Sequence, residues 1–135
     1  MSFNYTEKFV PIVYSNLMSV SLKLESDIVQ PVKHAASGIV FLKSDEELAV
    51  TGAKATTLQR ILLDAQAPNV IDLLSLDVEG AEIEVLKGID FQFFNFKYIC
   101  TECRNIDIMN NFLTGHNYTF LEQLSEQDYL FSWNG

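Results

Sequence analysis

Apolar positions along this chain recur with two periods, and each change of period marks an element. In TTLQRILLDAQ, residues 56–66, Leu58, Ile61, Leu62 and Ala65 fall at i, i+3, i+4 and i+7, the spacing of one helix face. Thr56 or Thr57 caps that helix and Pro68 closes it. VIDLLSLDV, residues 70–78, is a nearly continuous apolar run, the pattern of a strand covered on both faces in a parallel sheet; Gly80 breaks it. AEIEVLK, residues 81–87, returns to helix spacing, with acids in its first turn, a lysine in its last and Gly88 as the expected left-handed stop. KYICTE, residues 97–102, is a second apolar strand. Asn105 then caps IDIMNNFLT, and Gly115 is the expected stop. NYTFLEQL and DYLFSW, separated by the polar Ser-Glu-Gln, alternate as an antiparallel hairpin.

The front of the chain is less regular. FVPIVYSNLMSVSLKLESDIVQPV mixes apolar and polar residues without a clean period; short strands, or a strand and a helix, both fit it. GIVFL, Gly38–Leu42, is expected as a short strand after a turn at Ser37-Gly38, and Lys43–Lys54 as a polar loop. No repeat or linker divides the 135 residues, so a single domain over 1–135 is expected. The back half runs α-β-α-β-α-β-β. Strands separated by helices imply an α/β fold with right-handed parallel crossovers and an antiparallel hairpin at one edge.

Composition narrows the function. A hydrophobic fraction of 48% with 20% charged residues suits a folded chain with a real core. The net charge of −9 repels phosphate backbones, which argues against nucleic acid as a partner; solubility alone accounts for that charge. The apolar runs fall far short of the roughly 20 residues of a membrane span. No charged leader with an apolar segment is visible, so neither a membrane nor secretion is expected and the cytoplasm is the expected compartment. Cys100 and Cys103 have a redox or zinc spacing. On a strand, however, residues three apart point to opposite faces, and zinc wants four ligands. His34 and His116 are distant from them and are expected in loops or on the surface.

The chemistry concentrates where the strand at 70–78 ends. Asp77, Glu79 and Glu82 lie within six positions, and Glu102 and Arg104 stand at and beyond the end of the next strand. In open α/β sheets, ligands sit beyond the carboxyl ends of the strands. If the two strands are neighbours, Asp77, Glu79, Glu102 and Arg104 converge there. One acid would suffice to cap the helix that follows. Neighbouring carboxylates repel and raise at least one pKa, an arrangement associated with functional sites. Glu82, on the first helical turn, is equally well explained by capping.

IDLLSLDVEGAEIEVLKGID, Ile71–Asp90, closely resembles the signature segment of the FkbM family of S-adenosylmethionine-dependent methyltransferases. The likeness continues upstream into TTLQRIL, where Gln59 replaces a common acid, and downstream to the terminal hairpin, over about residues 35–133. It implies the class I, Rossmann-like fold and O-methyl transfer to a hydroxyl of a sugar, glycan or secondary metabolite, with S-adenosylmethionine as donor. It places Asp77 near the donor or the acceptor hydroxyl, Glu79 beside it and Glu102 at the acceptor, so that Asp77, Glu79 and Glu102 are the candidate catalytic residues. No metal is implied.

One departure stands out. Methyltransferases of this class carry a glycine-rich loop at the donor, and this chain has no Gly-x-Gly. The resemblance is therefore to the C-terminal portion of the domain. The strand at 70–78 would lack one neighbour, an edge that invites pairing. A longer chain supplying an N-terminal half, a second copy or other partner, or FVPIVYSNL folding back as a replacement strand would each cover it. Pro11 argues against a central place for that last strand.

Overall fold

The computed structural model describes residues 9–22 and 24–135; the expectations for residues 1–8 and Lys23 lie outside them. The architecture is α/β, with two sheets and four helices among the described residues. The first sheet is antiparallel, in the order β2-β1-β3, from β1 (Phe9–Tyr14), β2 (Val20–Ser21) and β3 (Ala49–Lys54). The helix α1 (Pro31–Ser37), with proline in its first turn, packs against it. Val13, Val20, Ile28 and Ala35 form the core of this part.

Four expectations for the front half fail. Gly38–Phe41 is a 3₁₀ helix rather than a strand. A Cβ on Gly38 would lie 2.6 Å from both Met18 Cβ and Ser15 Oγ, so close packing on the 3₁₀ turn Asn16–Met18 holds this glycine. The supposed polar loop contains β3, whose Ala49–Lys54 ladder zips along all six residues of β1. Pro11 is inside the central strand: it faces Gly52, and its carbonyl accepts the Leu22 N–H at 3.0 Å, so the missing proline donor costs one ladder bond without breaking the sheet. β1 also does not replace the missing neighbour of the second sheet, since among the described residues it pairs with β2 and β3 alone.

The second sheet has the order β4-β5-β7-β6, from β4 (Val70–Leu76), β5 (Asn95–Glu102), β6 (Tyr118–Gln123) and β7 (Asp128–Trp133). β4 and β5 are parallel, with Leu76 beside Thr101, and β6–β7 is the expected hairpin, bulged between Phe120 and Glu122. The helices α2 (Leu58–Asp64), α3 (Glu82–Lys87) and α4 (Ile106–Thr114) join the strands. Thr57 Oγ1 accepts the Arg60 N–H and Asn105 Oδ1 the Ile108 N–H, so both caps fall on residues expected to supply them. Phe94, Phe96, Ile99, Met109, Leu113, Tyr118 and Phe131 are almost completely buried in the main core. Gly88 is not left-handed (φ −81°). Its backbone role is a contact instead, since its carbonyl accepts the Gln59 N–H at 3.2 Å. β4 is not covered on both faces: it is the edge strand, and Leu73 is 53% exposed. No helix among the described residues is long and apolar enough to cross a membrane.

Candidate functional site

The parallel register decides which acids meet. With Leu76 opposite Thr101, the next residues, Asp77 and Glu102, stand side by side at the carboxyl ends of β4 and β5. Asp77, Glu82 and Glu102 each place a carboxylate oxygen within 4.8 Å of the others. Burial and a hydrogen bond with Asp77 push the Glu102 carboxyl up to about 7, against the opposing pull of the Arg104 guanidinium. A carboxyl at that value exchanges protons near neutral pH, which is what acid–base chemistry requires.

Glu82 is the buried member, at 2% exposure. Its Oε1 accepts the Val78 N–H at 2.9 Å and the Gly80 N–H at 3.1 Å. The carboxylate thus clips the turn between β4 and α3, and burial raises its pKa despite those bonds. It satisfies the backbone of the turn before α3, which has no side-chain cap bond of its own, and its carboxylate lies within the cluster. The same turn strains the chain. Glu79 has φ 54° and Gly80 φ 92°. A non-glycine residue there costs about 1–3 kcal/mol, and such strain collects at functional sites.

Glu79 meets an imidazole and a guanidinium. His34 Nε2 lies 2.9 Å from its Oε2, and Arg104 Nη2 lies 3.7 Å away. His34, read as a loop or surface residue, is thereby corrected: it lies on α1, and its partly buried ring reaches the site across 45 residues of sequence. Arg104 also stands 3.5 Å from Glu102 Oε1 and 3.3 Å from Asp27 Oδ1, and its backbone N–H donates to Asp27 Oδ2 at 2.8 Å. Asp27 was not singled out in the sequence. It stands alone in an aperiodic stretch, and only the folded chain carries it over the strand tips. There its N–H donates to the Gly80 carbonyl at 3.1 Å. The structure therefore brings Asp77, Glu79, Glu102 and Arg104 together as expected, keeps Glu82 beside them, and adds Asp27 and His34.

The cysteines contribute no nucleophile to this cluster. Cys103 is buried, and burial among Asp27, Glu82 and Glu102 pushes its thiol up to about 11. Cys100 is also raised, by burial first. The triad oxygens are of the hard type that a divalent cation takes, although one Glu82 oxygen is already committed to two backbone donors.

A cationic methyl donor meets two different surfaces here. The acids suit a sulfonium charge. The nucleoside end requires a close backbone approach, and Gly80 is the one glycine in the cluster. Its open side is filled: a Cβ there would lie 2.5 Å from Ser26 Oγ, 2.7 Å from Asp27 Oδ1 and 2.9 Å from Ile28 Cγ1. The acid cluster therefore fits the charge of such a donor, while Gly80 offers its nucleoside no open backbone.

Comparison with known proteins gives one match of scale. Residues 6–131 match the family profile described as the Methyltransferase FkbM domain. Comparisons with curated proteins and with solved structures find no match.

Proposed function

Because the chain belongs to the FkbM methyltransferase family, we propose that it forms the acceptor-side part of an O-methyltransferase of class I, Rossmann-like type. S-adenosylmethionine would supply the methyl group, and the acceptor would be a hydroxyl of a sugar or secondary metabolite. The observation that carries this reading is the β4–β5 register, which sets Asp77 against Glu102 and gives the pair a carboxyl titrating near neutral pH. A hydroxyl placed between them gives its proton to the ionised member as its oxygen becomes nucleophilic, a role worth about 10²–10⁴-fold in rate. Asp77 is the exposed member and faces the incoming hydroxyl. Glu102 and Asp77 share one hydrogen bond, so the pair acts as a unit. Glu79 holds His34 and Arg104 in place beside it.

The nucleoside of the donor is held by residues outside this cluster, on a sheet completed along the open edge of β4 by a preceding segment or a second chain. Exposed Leu73 and Val70 on that strand support such a covering. A second reading is favoured by one observation, the filled face of Gly80: a non-catalytic α/β interaction domain derived from the same family. Calorimetric titration with S-adenosylhomocysteine separates the two. Micromolar binding supports the enzyme. An assembly in which the β4 edge is covered and which still takes up none at millimolar ligand supports the non-catalytic domain.

A further inference from the structure

Residues 24–30, between β2 and α1, form no helix or strand. They cross the turn between β4 and α3 as a strap whose two sides are held by different forces. Toward the first sheet the anchor is apolar: Ile28 is buried with Val13, Val20 and Ala35. Toward the second sheet the ties are polar. The Asp27 N–H donates to the Gly80 carbonyl at 3.1 Å. The Asp27 carboxylate accepts the Arg104 N–H at 2.8 Å and a guanidinium N–H at 3.3 Å, and Glu25 pairs with Lys87 at 3.1 Å. The strap's close contact is at Gly80, where Ser26, Asp27 and Ile28 take the space of a Cβ. Among the described residues, none of the strap packs into the main core. A segment held this way opens at lower cost than the core beneath it.

Arg104 ties the strap to the acids. Its guanidinium stands 3.3 Å from Asp27 Oδ1, 3.5 Å from Glu102 Oε1 and 3.7 Å from Glu79 Oε2, so three carboxylates share one cation. Glu102 is surrounded by further acids: Asp77 at the end of β4, Glu79 and Glu82 from the turn and α3, Asp128 opposite it on β7, and Asp27 on the strap. The cations are Arg104 and, beyond Glu79, His34 when it is protonated. Closing the strap brings one more carboxylate into this surround. An ionised Glu102 opposes that in two ways, by repelling Asp27 and by drawing the guanidinium away from it. We infer that the strap is a closure governed by the charge of the Asp77–Glu102 pair: loss of one negative charge from the pair frees Arg104 for Asp27 and tightens the strap, and return of the charge loosens it. The inference rests on the reading of the pair as the group that takes up the hydroxyl proton. On that reading the strap is tightest between proton uptake and proton release.

Amide hydrogen exchange of the full chain, read by NMR at Asp27 and Arg104, tests it. The Ile99 amide, in the main core, serves as the reference for global stability. The comparison is made at about pH 8, above the Glu102 midpoint, where the wild-type pair carries its full charge. Glu102→Gln is expected to slow exchange at both amides by about threefold relative to Ile99, the size of a partly exposed charge interaction. Arg104→Gln should speed it. A Glu102 side chain that merely supports the turn would leave exchange unchanged or faster when replaced. Asp77→Asn removes one charge from the same pair and gives the same direction if Glu102→Gln does not fold. The coupling is reciprocal, so Asp27→Asn should lower the Glu102 carboxyl midpoint by about 0.5 pH, the same threefold seen from the other site. Unchanged or faster exchange in a folded protein with the pair's charge reduced, or a Glu102 midpoint that Asp27→Asn leaves in place or raises, would overturn the proposal. These measurements involve no methyl transfer, and the acid–base reading fails separately if Asp77→Asn turns over undiminished.

Discussion

At the scale of the residue, one proton decides most of the chemistry. Glu102 is held up to about 7 by burial and by Asp77, so near neutral pH it is present in both forms. A folded carboxyl raised above its unfolded value binds more protons than the unfolded chain between the two values. Stability therefore falls as pH rises from the ordinary carboxylate range through about 7, and levels off above it. Urea unfolding of the wild type should show that decline, and Glu102→Gln should flatten it over the same window. Activity should respond differently. In an assembly that turns over, Asp77→Asn is expected to lower the rate by about 10²–10⁴-fold with an unchanged circular dichroism spectrum; undiminished turnover would remove Asp77 from the mechanism.

At the scale of the element, the β4–α3 turn concentrates the constraints. Gly80 is left-handed and packed on Ser26, Asp27 and Ile28. Gly80→Ala combines backbone strain with a clash and should cost about 1–3 kcal/mol. Thermal unfolding would show the loss, and faster hydrogen exchange of the Asp27 amide, which bonds the Gly80 carbonyl, would show the overlying segment released. Elements with a strong local signal were legible in sequence. The helix at Leu58–Asp64, the caps at Thr57 and Asn105, and the final antiparallel hairpin all find their places, although Ile61 of the helical period is exposed and the hairpin strands do not alternate in burial. Gln59 serves as an acceptor, because its Oε1 takes the Asp90 N–H at 2.7 Å. What failed was set by contacts distant in sequence. Gly38–Phe41 carries strand-like residues, but its place against Ser15 and Met18 makes it helical. Ala49–Lys54 has no apolar period, and its partner strand alone makes it β3.

At the scale of the molecule, the site lies where the two cores meet. Asp77, Glu79, Glu82 and Glu102 come from the main sheet and its helix, while Asp27 and His34 come from the front part, and Arg104 joins them. The acids were legible because three carboxylates at a strand end are more than capping the next helix needs. Asp27 and His34 were not, because nothing local marks a residue that reaches across 77 or 45 positions. Arg104→Gln should loosen this junction at a cost of about 1–2 kcal/mol, discounted for its partial exposure. It should also raise the Glu102 pKa further, since the guanidinium is what holds it down.

The most direct measurement is a ¹³C NMR titration of the Glu102 carboxyl carbon in the wild type and in Asp77→Asn. A wild-type midpoint near 7 that drops when Asp77 loses its acid is the expected result. A wild-type midpoint in the ordinary carboxylate range, unmoved by the substitution, would contradict the shared site at the tips of β4 and β5.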